Sequence, residues 1–337
     1  MPTIYDVAQH AGVAPATVSR VINDSGYVSV QTRERVEQAI AELGYRPNRL
    51  ARGLRSKQTQ TIGLVLSDIT NPFWTTVARG VEDAASRAGF SVILCNTDES
   101  EAKQAQYLRL LLEKQVDGFV LVPATTEVNS FSPVYERDVS FVVLDRKVPI
   151  SVDTVRCDSV GGARELVTYL LGLGHRRIAV LSGSSDVSTA TDRVEGYRRA
   201  LMEAGVEIDE SLILYRAFTH DAGYEMTMQV LRMSPPPTAL FAVNNFIAIG
   251  ALRALKDVGL QVPNDMSVVG FDDLPPRLIM QPSLTVVVQP AYEMGQQATE
   301  LLLERLSGNA PEACREIILP TELIIRSSAA PLEAESV

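Results

Sequence analysis

The chain has little of the equipment that catalysis and metal binding require. Its 337 residues include three histidines, three cysteines and one tryptophan. His10, His175 and His220 lie far apart, as do Cys95, Cys157 and Cys314, so neither a metal-ligand spacing nor a Cys/His pair can be read. No Gly-x-Ser-x-Gly elbow occurs. Gly161-Gly162 and Gly172-Leu173-Gly174-His175 lack the lysine and hydroxyl of a phosphate loop, which leaves turn and cap roles for the glycines and packing or capping for His175. Asp272 and Asp273 are paired carboxylates only in sequence, because neighbours on a strand end seldom face one reacting bond. An enzyme is therefore not expected, nor a metal or other cofactor. Long apolar runs and a basic, apolar, small-residue leader are also missing, so neither a membrane span nor export is expected. Unpaired cysteines suit a reducing cytoplasm.

What is present begins at the N-terminus. Ile4, Val7, Ala8 and Ala11 recur at helical spacing, Thr3 is placed to cap that helix, and Gly12 to end it. Pro15 opens a second helix, where its missing N–H costs nothing; Val18, Val21 and Ile22 form its buried face and Ala16, Thr17, Ser19, Arg20 and Asn23 the other. Two short helices about a glycine turn, with a third over about Thr32 to Leu43, make a helix-turn-helix and point to DNA.

A basic segment follows. Arg46, Arg49, Arg52, Arg55 and Lys57 occur with no acidic residue among them, a strip suited to phosphate contact. Residues 1–60 hold eight Lys and Arg against five Asp and Glu, whereas the whole chain has net charge −10. A mildly basic head thus precedes a strongly acidic body, and DNA binding is confined to the head.

Beyond residue 60, short β-branched runs alternate with amphipathic helices: TIGLVL, SVILC, GFVLV and VSFVVLD, then RIAVLS, SLILY, ALFAV and SVVGF. The repetition marks an α/β fold of parallel sheets, and two groups of four strands predict two lobes with a cleft between them. Ligands in such folds bind outside the carboxyl ends of strands. Asp68 and Ile69-Thr70-Asn71-Pro72-Phe73-Trp74 follow the first strand, Asp145-Arg146 the fourth, Asn244-Asn245 the seventh and Asp272 the eighth. Carboxylates, amides and arginine bond sugar hydroxyls in pairs while aromatic faces stack on the ring, so the set suits a sugar better than an anion. Taken singly, Asn71 before Pro72 also reads as a turn, Asn244 and Asn245 as caps of a helix starting near Phe246, and Asp272 as a loop anchor.

Taken together, IYDVAQHAGVAPATVSRVIN, RPNRLARGLR, TIGLV, ITNPFW, VVLDR, GHRRIAVL, FAVNN and VVGFDD make the chain closely resemble the LacI/GalR family of bacterial transcription regulators over almost its whole length. The resemblance implies a pseudo-palindromic double-stranded DNA operator, a homodimer and a small-molecule effector. It places Ala14 to Asn23 in the major groove, with Pro15, Ala16 and Arg20 reading bases and Tyr5, Thr17, Ser19 and Asn23 contacting phosphates or fixing register. The family usually has serine where Ala14 stands, and loss of that cap costs about 1 kcal/mol. A hinge helix formed on the operator is implied over the linker, capped by Asn48, with Arg52 and Arg55 flanking phosphates and Leu54 wedged into the minor groove.

The core is further implied to resemble periplasmic sugar-binding proteins of the ribose type. Asn71, Phe73, Trp74, Asp145, Arg146, Arg193, Phe218, Asn244, Asp272 and Gln289 fall on that family's binding positions, and Asp68 joins them at the first strand end. Asn245 departs from the usual aspartate. The expected organisation is a headpiece over 1–46, a hinge over 47–60, and a core over 61–330. In the core, lobe one takes about 61–160 and 291–320, and lobe two about 161–290 and 321–330. Crossings are implied near Asp158–Gly162, Gln289–Ala291 and Pro320–Glu322. A helix over Asp68 to Gly89 is expected to turn one face to a dimer partner, its stripe being equally readable as core. After Arg326 a frayed acidic tail is expected, disordered over 331–337. A repressor governed by a monosaccharide such as a pentose is the expected function; some relatives respond instead to purines or to a phosphorylated carrier protein, and a sugar receptor without DNA binding is the reading from another class.

Overall fold

The computed structural model describes residues 2–45, 58–125, 128–135, 137–274 and 282–332. The chain divides into two compact units, Met1–Thr59 and Gln60–Val337.

In the first unit, α1 (Ile4–Ala11), α2 (Pro15–Ile22) and α3 (Val30–Leu43) enclose Val7, Ala8, Ala11, Val18, Val21, Val36 and Ala39. Thr3 caps α1 through a reciprocal pair: its hydroxyl accepts from the Asp6 N–H, and the Asp6 carboxylate accepts from the Thr3 N–H at 2.6 Å. Gly12 ends the helix at φ +65°, a conformation in which a Cβ would be strained. Helix α2 starts without a side-chain cap, as Ala14 requires, with Pro15 in its first turn. Helix α3 begins two residues earlier than its apolar pattern suggests, because Ser29 caps it by accepting from the Thr32 N–H.

The second unit holds two six-stranded sheets. The first comprises β1 (Thr61–Leu66), β2 (Ser91–Asn96), β3 (Gly118–Leu121), β4 (Ser140–Leu144), β5 (Asp153–Cys157) and β11 (Glu316–Leu319), in spatial order β11-β5-β4-β3-β1-β2 and parallel throughout. The second comprises β6 (Ile178–Ser182), β7 (Ile213–Tyr215), β8 (Ala239–Ala242), β9 (Ser267–Phe271), β10 (Thr285–Val288) and β12 (Glu322–Ile324), ordered β12-β10-β9-β8-β6-β7 with only β12 antiparallel. Each sheet thus has two strands more than the four expected. Of the extra ones, β5, β11 and β12 carry charged residues that break the apolar run, whereas β10 is a buried apolar run that the sequence reading passed over. The chain leaves the first sheet after β5, returns after β10, and crosses again between β11 and β12.

Among the described residues, eight further α-helices cover the sheets: α4 (Pro72–Arg87), α5 (Glu101–Glu113), the single turn α6 (Ser132–Tyr135), α7 (Ser159–Gly172), α8 (Ser188–Glu203), α9 (His220–Val230), α10 (Asn245–Asp257) and α11 (Ala291–Leu306). Both lobes use glycine to bring helices together. A Cβ on Gly80 of α4 would lie 2.1 Å from the Tyr292 carbonyl oxygen on α11, and one on Gly250 of α10 would lie 2.0 Å from that of His220 on α9. Val77, Gly80, Val81, Ala84 and Ala85 of α4 are buried within the chain. The apolar stripe expected to face a dimer partner is therefore core, sealed by α11, and the helix starts at Pro72 because Asn71 caps it.

Gly161 and Gly162 are not turn residues. They lie in the first turn of α7, where the Gly161 N–H donates to the Asp158 carboxylate at 2.8 Å and a Cβ on Gly162 would meet Thr321 and Val287. Gly174, at φ +94°, does make the turn after α7. His175 is buried; its Nε2 donates to the Ala330 carbonyl oxygen at 3.1 Å and its Nδ1 lies 2.9 Å from the Thr238 hydroxyl. Burial lowers its pKa.

These bonds also correct the reading of a frayed chain end. The Ser328 hydroxyl is buried, accepting from the Thr285 N–H and donating to the Val268 carbonyl, and the Leu332 N–H donates to the Leu173 carbonyl at 2.8 Å. The segment 327–332 is strapped onto lobe two because its backbone finds these partners; residues 333–337 lie outside the described residues. No helix among the described residues is long and apolar enough to cross a membrane.

Candidate functional site

In the N-terminal unit, α2 turns Ala16 and Arg20 outward, and Tyr5 on α1 is 70% exposed. Pro15, Thr17, Ser19 and Asn23 are half-buried. The Asn23 amide donates to the Ser19 hydroxyl at 3.2 Å, which sets both side chains at the end of α2. The exposed guanidinium of Arg20 is the group on this surface able to form a bidentate pair with guanine. Asn48, Arg52, Leu54 and Arg55 lie outside the described residues.

The second site is a cavity of about 240 Å³ at the carboxyl ends of the strands of both sheets. Asp68, Asn71, Phe73, Trp74, Asp145, Arg146, Arg193, Phe218, Asn244, Asp272 and Gln289, all named from the sequence, line it. The backbone explains why. Asp68 follows β1 and accepts from both the N–H and the hydroxyl of Thr70, closing the turn that leads to Asn71. Asn71 Oδ1 accepts from the Phe73 N–H and starts α4, which carries Phe73 and Trp74 into the wall with their rings edge to face at 4.7 Å. Asn244 caps α10 in the same manner, accepting from the Ile247 N–H at 2.9 Å. Phe218 lies over Gly183, where any Cβ would overlap its ring.

Asp145 and Asp272 end β4 and β9 with left-handed backbones, φ +70° and +68°, which turn their carboxylates toward the cavity. Both are buried, but they differ electrically. Asp272 accepts from Gln289 Nε2 at 2.6 Å and lies 3.9 Å from Arg193; burial raises its pKa and these two partners oppose the rise. The Asp145 carboxylate has no hydrogen bond among the described residues, and burial lifts its pKa to about 6 against the pull of Arg193 and Arg146. Arg193 donates to the Val243 carbonyl at 2.5 Å and lies over the Phe271 ring. Arg146 is gripped by both carboxylate oxygens of Glu99, at 2.7 and 2.5 Å, and donates to the Pro123 carbonyl.

Arg146 Nε, Arg193 Nε and Gln289 Oε1 are buried and lack partners among the described residues. Orphaned donors and acceptors each cost about 1–3 kcal/mol, so the wall is built to be satisfied by a molecule placed against it. No group of side chains able to hold a metal occurs among the described residues.

Sequence reasoning missed Asp98, Glu99, Thr189, Ala217, Thr219 and Phe246, which also line the cavity. Asp98 and Glu99 lie in the loop past the end of β2 at Asn96. It also missed two ties across the cleft. The amides of Asn71 and Asn245 exchange hydrogen bonds at 2.9 and 3.0 Å, so the residue that departs from the expected aspartate has an amide partner in the other lobe. Lys147, beyond β4, donates its N–H to the Ser188 hydroxyl at 2.9 Å and pairs its ammonium with Asp192 of α8 at 2.7 Å.

Both parts of the chain match known families. Residues 3–48 match the family described as bacterial regulatory proteins, lacI family, and residues 59–327 match periplasmic binding proteins and sugar binding domain of LacI family. The ribose operon repressor of Halalkalibacterium halodurans is 39% identical over 328 residues, covering 97% of each chain. The crystal structure of the lac repressor dimer bound to operator and the anti-inducer ONPF aligns over 98% of this chain and 99% of that one, at 30% identity and TM-score 0.86. A LacI family regulator from Enterococcus faecium with bound ribose aligns over 81% of this chain and all of its own, at 33% identity and TM-score 0.73.

Proposed function

The chain belongs to the LacI family of bacterial regulatory proteins, and from that premise we propose that it is a cytoplasmic, homodimeric repressor whose grip on a pseudo-palindromic operator is switched by a monosaccharide in the interlobe cleft. One observation carries the sugar reading: buried aspartates, arginines and amides converge with Phe73, Trp74 and Phe218 on one small cavity and leave three polar atoms unsatisfied. Its volume is below the roughly 300–1,000 Å³ of common ligand clefts, which suits one sugar ring. Ribose in the name of one relative and in the structure of another supports a pentose.

Arg20 reads bases, and Pro15 and Ala16 sense only apolar edges. The hinge, with Asn48 as cap, Arg52 and Arg55 on phosphates and Leu54 in the minor groove, forms on the operator. A ligand moves the operator equilibrium only by its differential affinity for the two lobe arrangements. Closure of the lobes on the sugar spreads the paired hinges and withdraws Leu54. Leu54→Ala is expected to weaken operator binding far more than sugar binding, and equal loss of both would sink the hinge assignment. Arg20→Ala relaxes sequence preference in a base-substitution series if the assignment is right.

The direct test is titration of the protein with pentoses, hexoses and purine bases while its fluorescence is followed, since Trp74 is the sole tryptophan and stands in the cavity wall. A saturable change with one sugar identifies the effector. Silence with every compound, together with an unmoved melting temperature, overturns the sugar reading.

A further inference from the structure

We infer that Asn245, which is not among the described residues lining the cavity, is a positioning residue for the effector: through Asn71 it fastens lobe two to lobe one, so that two protein amides favour the closed cleft before any sugar arrives. The inference deepens the proposed switch and rests on it only for the link from closure to sugar binding.

The chemistry of the pair is fixed from outside it. Asn71 Oδ1 has to be the oxygen, because it accepts from the Phe73 N–H and so starts α4. Asn245 Nδ2 donates to that same oxygen at 3.0 Å and fills its second lone pair, while Asn71 Nδ2 donates back to Asn245 Oδ1 at 2.9 Å. Position 245 therefore needs a short planar side chain that both donates and accepts. Asparagine does both. Aspartate has the same shape but accepts only, so its second oxygen would face the Asn71 oxygen across the 3.0 Å that a hydrogen bond now spans. Turning the Asn71 amide over gives no escape, since its NH2 group would then meet the Phe73 N–H and the cap would be lost.

Placement makes the tie effective. Asn71 is 6% exposed and Asn245 1%, and a hydrogen bond shielded from water holds more strongly than one at the surface. The other tie, from Lys147 to Ser188 and Asp192, has a half-exposed ammonium and so holds its lobes less firmly. Asn71 lines the cavity from lobe one, and Asn244, the neighbour of Asn245, lines it from lobe two. The apparent dissociation constant of an effector is its intrinsic one divided by the fraction of molecules already competent to bind, and the tie raises that fraction.

The test is Asn245→Asp in the full chain, read in two ways. Acrylamide quenching of the sole tryptophan follows the cleft without any ligand: Trp74 packs in the core of lobe one, lines the cavity and is 7% exposed, so opening of the cleft is what bares it further. Calorimetric titration with D-ribose and the other aldopentoses and aldohexoses follows the effector. Asn245→Asp is expected to at least double the quenching constant and to weaken binding of the sugar about tenfold or more. Asn245→Ala removes the pair without adding a charge; it should move both readings the same way, affinity by about fivefold, and it carries the test if the aspartate variant fails to fold. A merely structural Asn245 would weaken sugar binding and leave Trp74 as shielded as before, and that result overturns the inference. So does wild-type affinity in a folded variant. If no sugar binds the wild type, the sugar reading falls together with its link to Asn245, and quenching still decides the tie: a doubled constant upholds it and an unchanged one overturns it.

Discussion

The two lobes are built to one plan and finished differently. In each, the fourth strand of the lobe ends in a left-handed aspartate whose N–H donates at 2.8 Å to a carbonyl of the next strand: Asp145 to Val155, Asp272 to Val287. The backbone device is the same, yet lobe two meets its carboxylate with Gln289 and Arg193 while lobe one leaves the Asp145 carboxylate without a hydrogen bond among the described residues. The following residue differs as well, Arg146 held by Glu99 in one lobe and Asp273 held by Arg326 in the other. A repeated fold thus yields an asymmetric site, one wall already satisfied and the other waiting for a ligand.

The harshest test of the shared plan is to crowd a helix crossing. Gly250→Val drives side-chain atoms into the His220 carbonyl and is expected to cost roughly 3 kcal/mol or more. That is a fall in melting temperature of about 6–12 °C. Gly80→Val should do the same in lobe one, and a lobe that tolerates its valine has a different crossing.

The asymmetry is sharpened by Asp145→Asn against Asp272→Asn. The folded protein raises the Asp145 pKa to about 6 from 3.8, so it binds more protons than the unfolded chain between those values and loses stability as pH rises through them. Asparagine removes that loss: the variant should gain up to roughly 3 kcal/mol at pH 8, at 1.36 kcal/mol per unit, and nothing at pH 3. Asp272→Asn should gain less, since its carboxylate already has partners. In the wild type, sugar affinity should fall as pH drops through about 6, because a protonated Asp145 accepts hydroxyl protons poorly; a flat profile from pH 5 to 8 would remove Asp145 from the contact set.

Smaller effects come from the ties. Asn245→Ala deletes the amide pair and should cost about 1–2 kcal/mol, visible as faster ligand exchange in stopped flow. Asn71→Ala should cost more, because Asn71 also caps α4. Lys147→Ala breaks a half-exposed ion pair and should change stability by less than about 1 kcal/mol.

The residues of the cleft were legible because a parallel sheet gathers its strand ends on one side, so Asp68, Asp145, Asn244 and Asp272, distant in sequence, had to converge. Glu99 was not, because reading of its strand stopped at Cys95 and an acidic pair in a loop looks like ordinary solvated surface. The edge strands β11 and β12 carry Glu316 and Glu322, and β5, buried between β11 and β4, is interrupted by Asp153 and Arg156, so all three lacked the apolar run that identifies a buried strand. The strap at 327–332 was hidden for another reason: Ser-Ser-Ala-Ala-Pro has the composition of a loose tail, and its backbone finds partners in the folded lobe, the Ser328 carbonyl accepting from the Val268 N–H and the N–H groups of Ser327, Ala330 and Leu332 donating to the Ser283 carbonyl, the Ser267 hydroxyl and the Leu173 carbonyl.

The two ties between the lobes respond to different solvents. In the sheet order β3 separates β4 from β1, which sets the origins of the Lys147 and Asn71 ties about 10 Å apart. The Lys147–Asp192 pair is ionic and weakens as the Debye length shrinks toward 3 Å near 1 M salt, whereas two amides carry no charge to screen. Brine therefore weakens the Lys147–Asp192 pair and spares both the Asn71–Asn245 amides and the uncharged bond from the Lys147 N–H to Ser188.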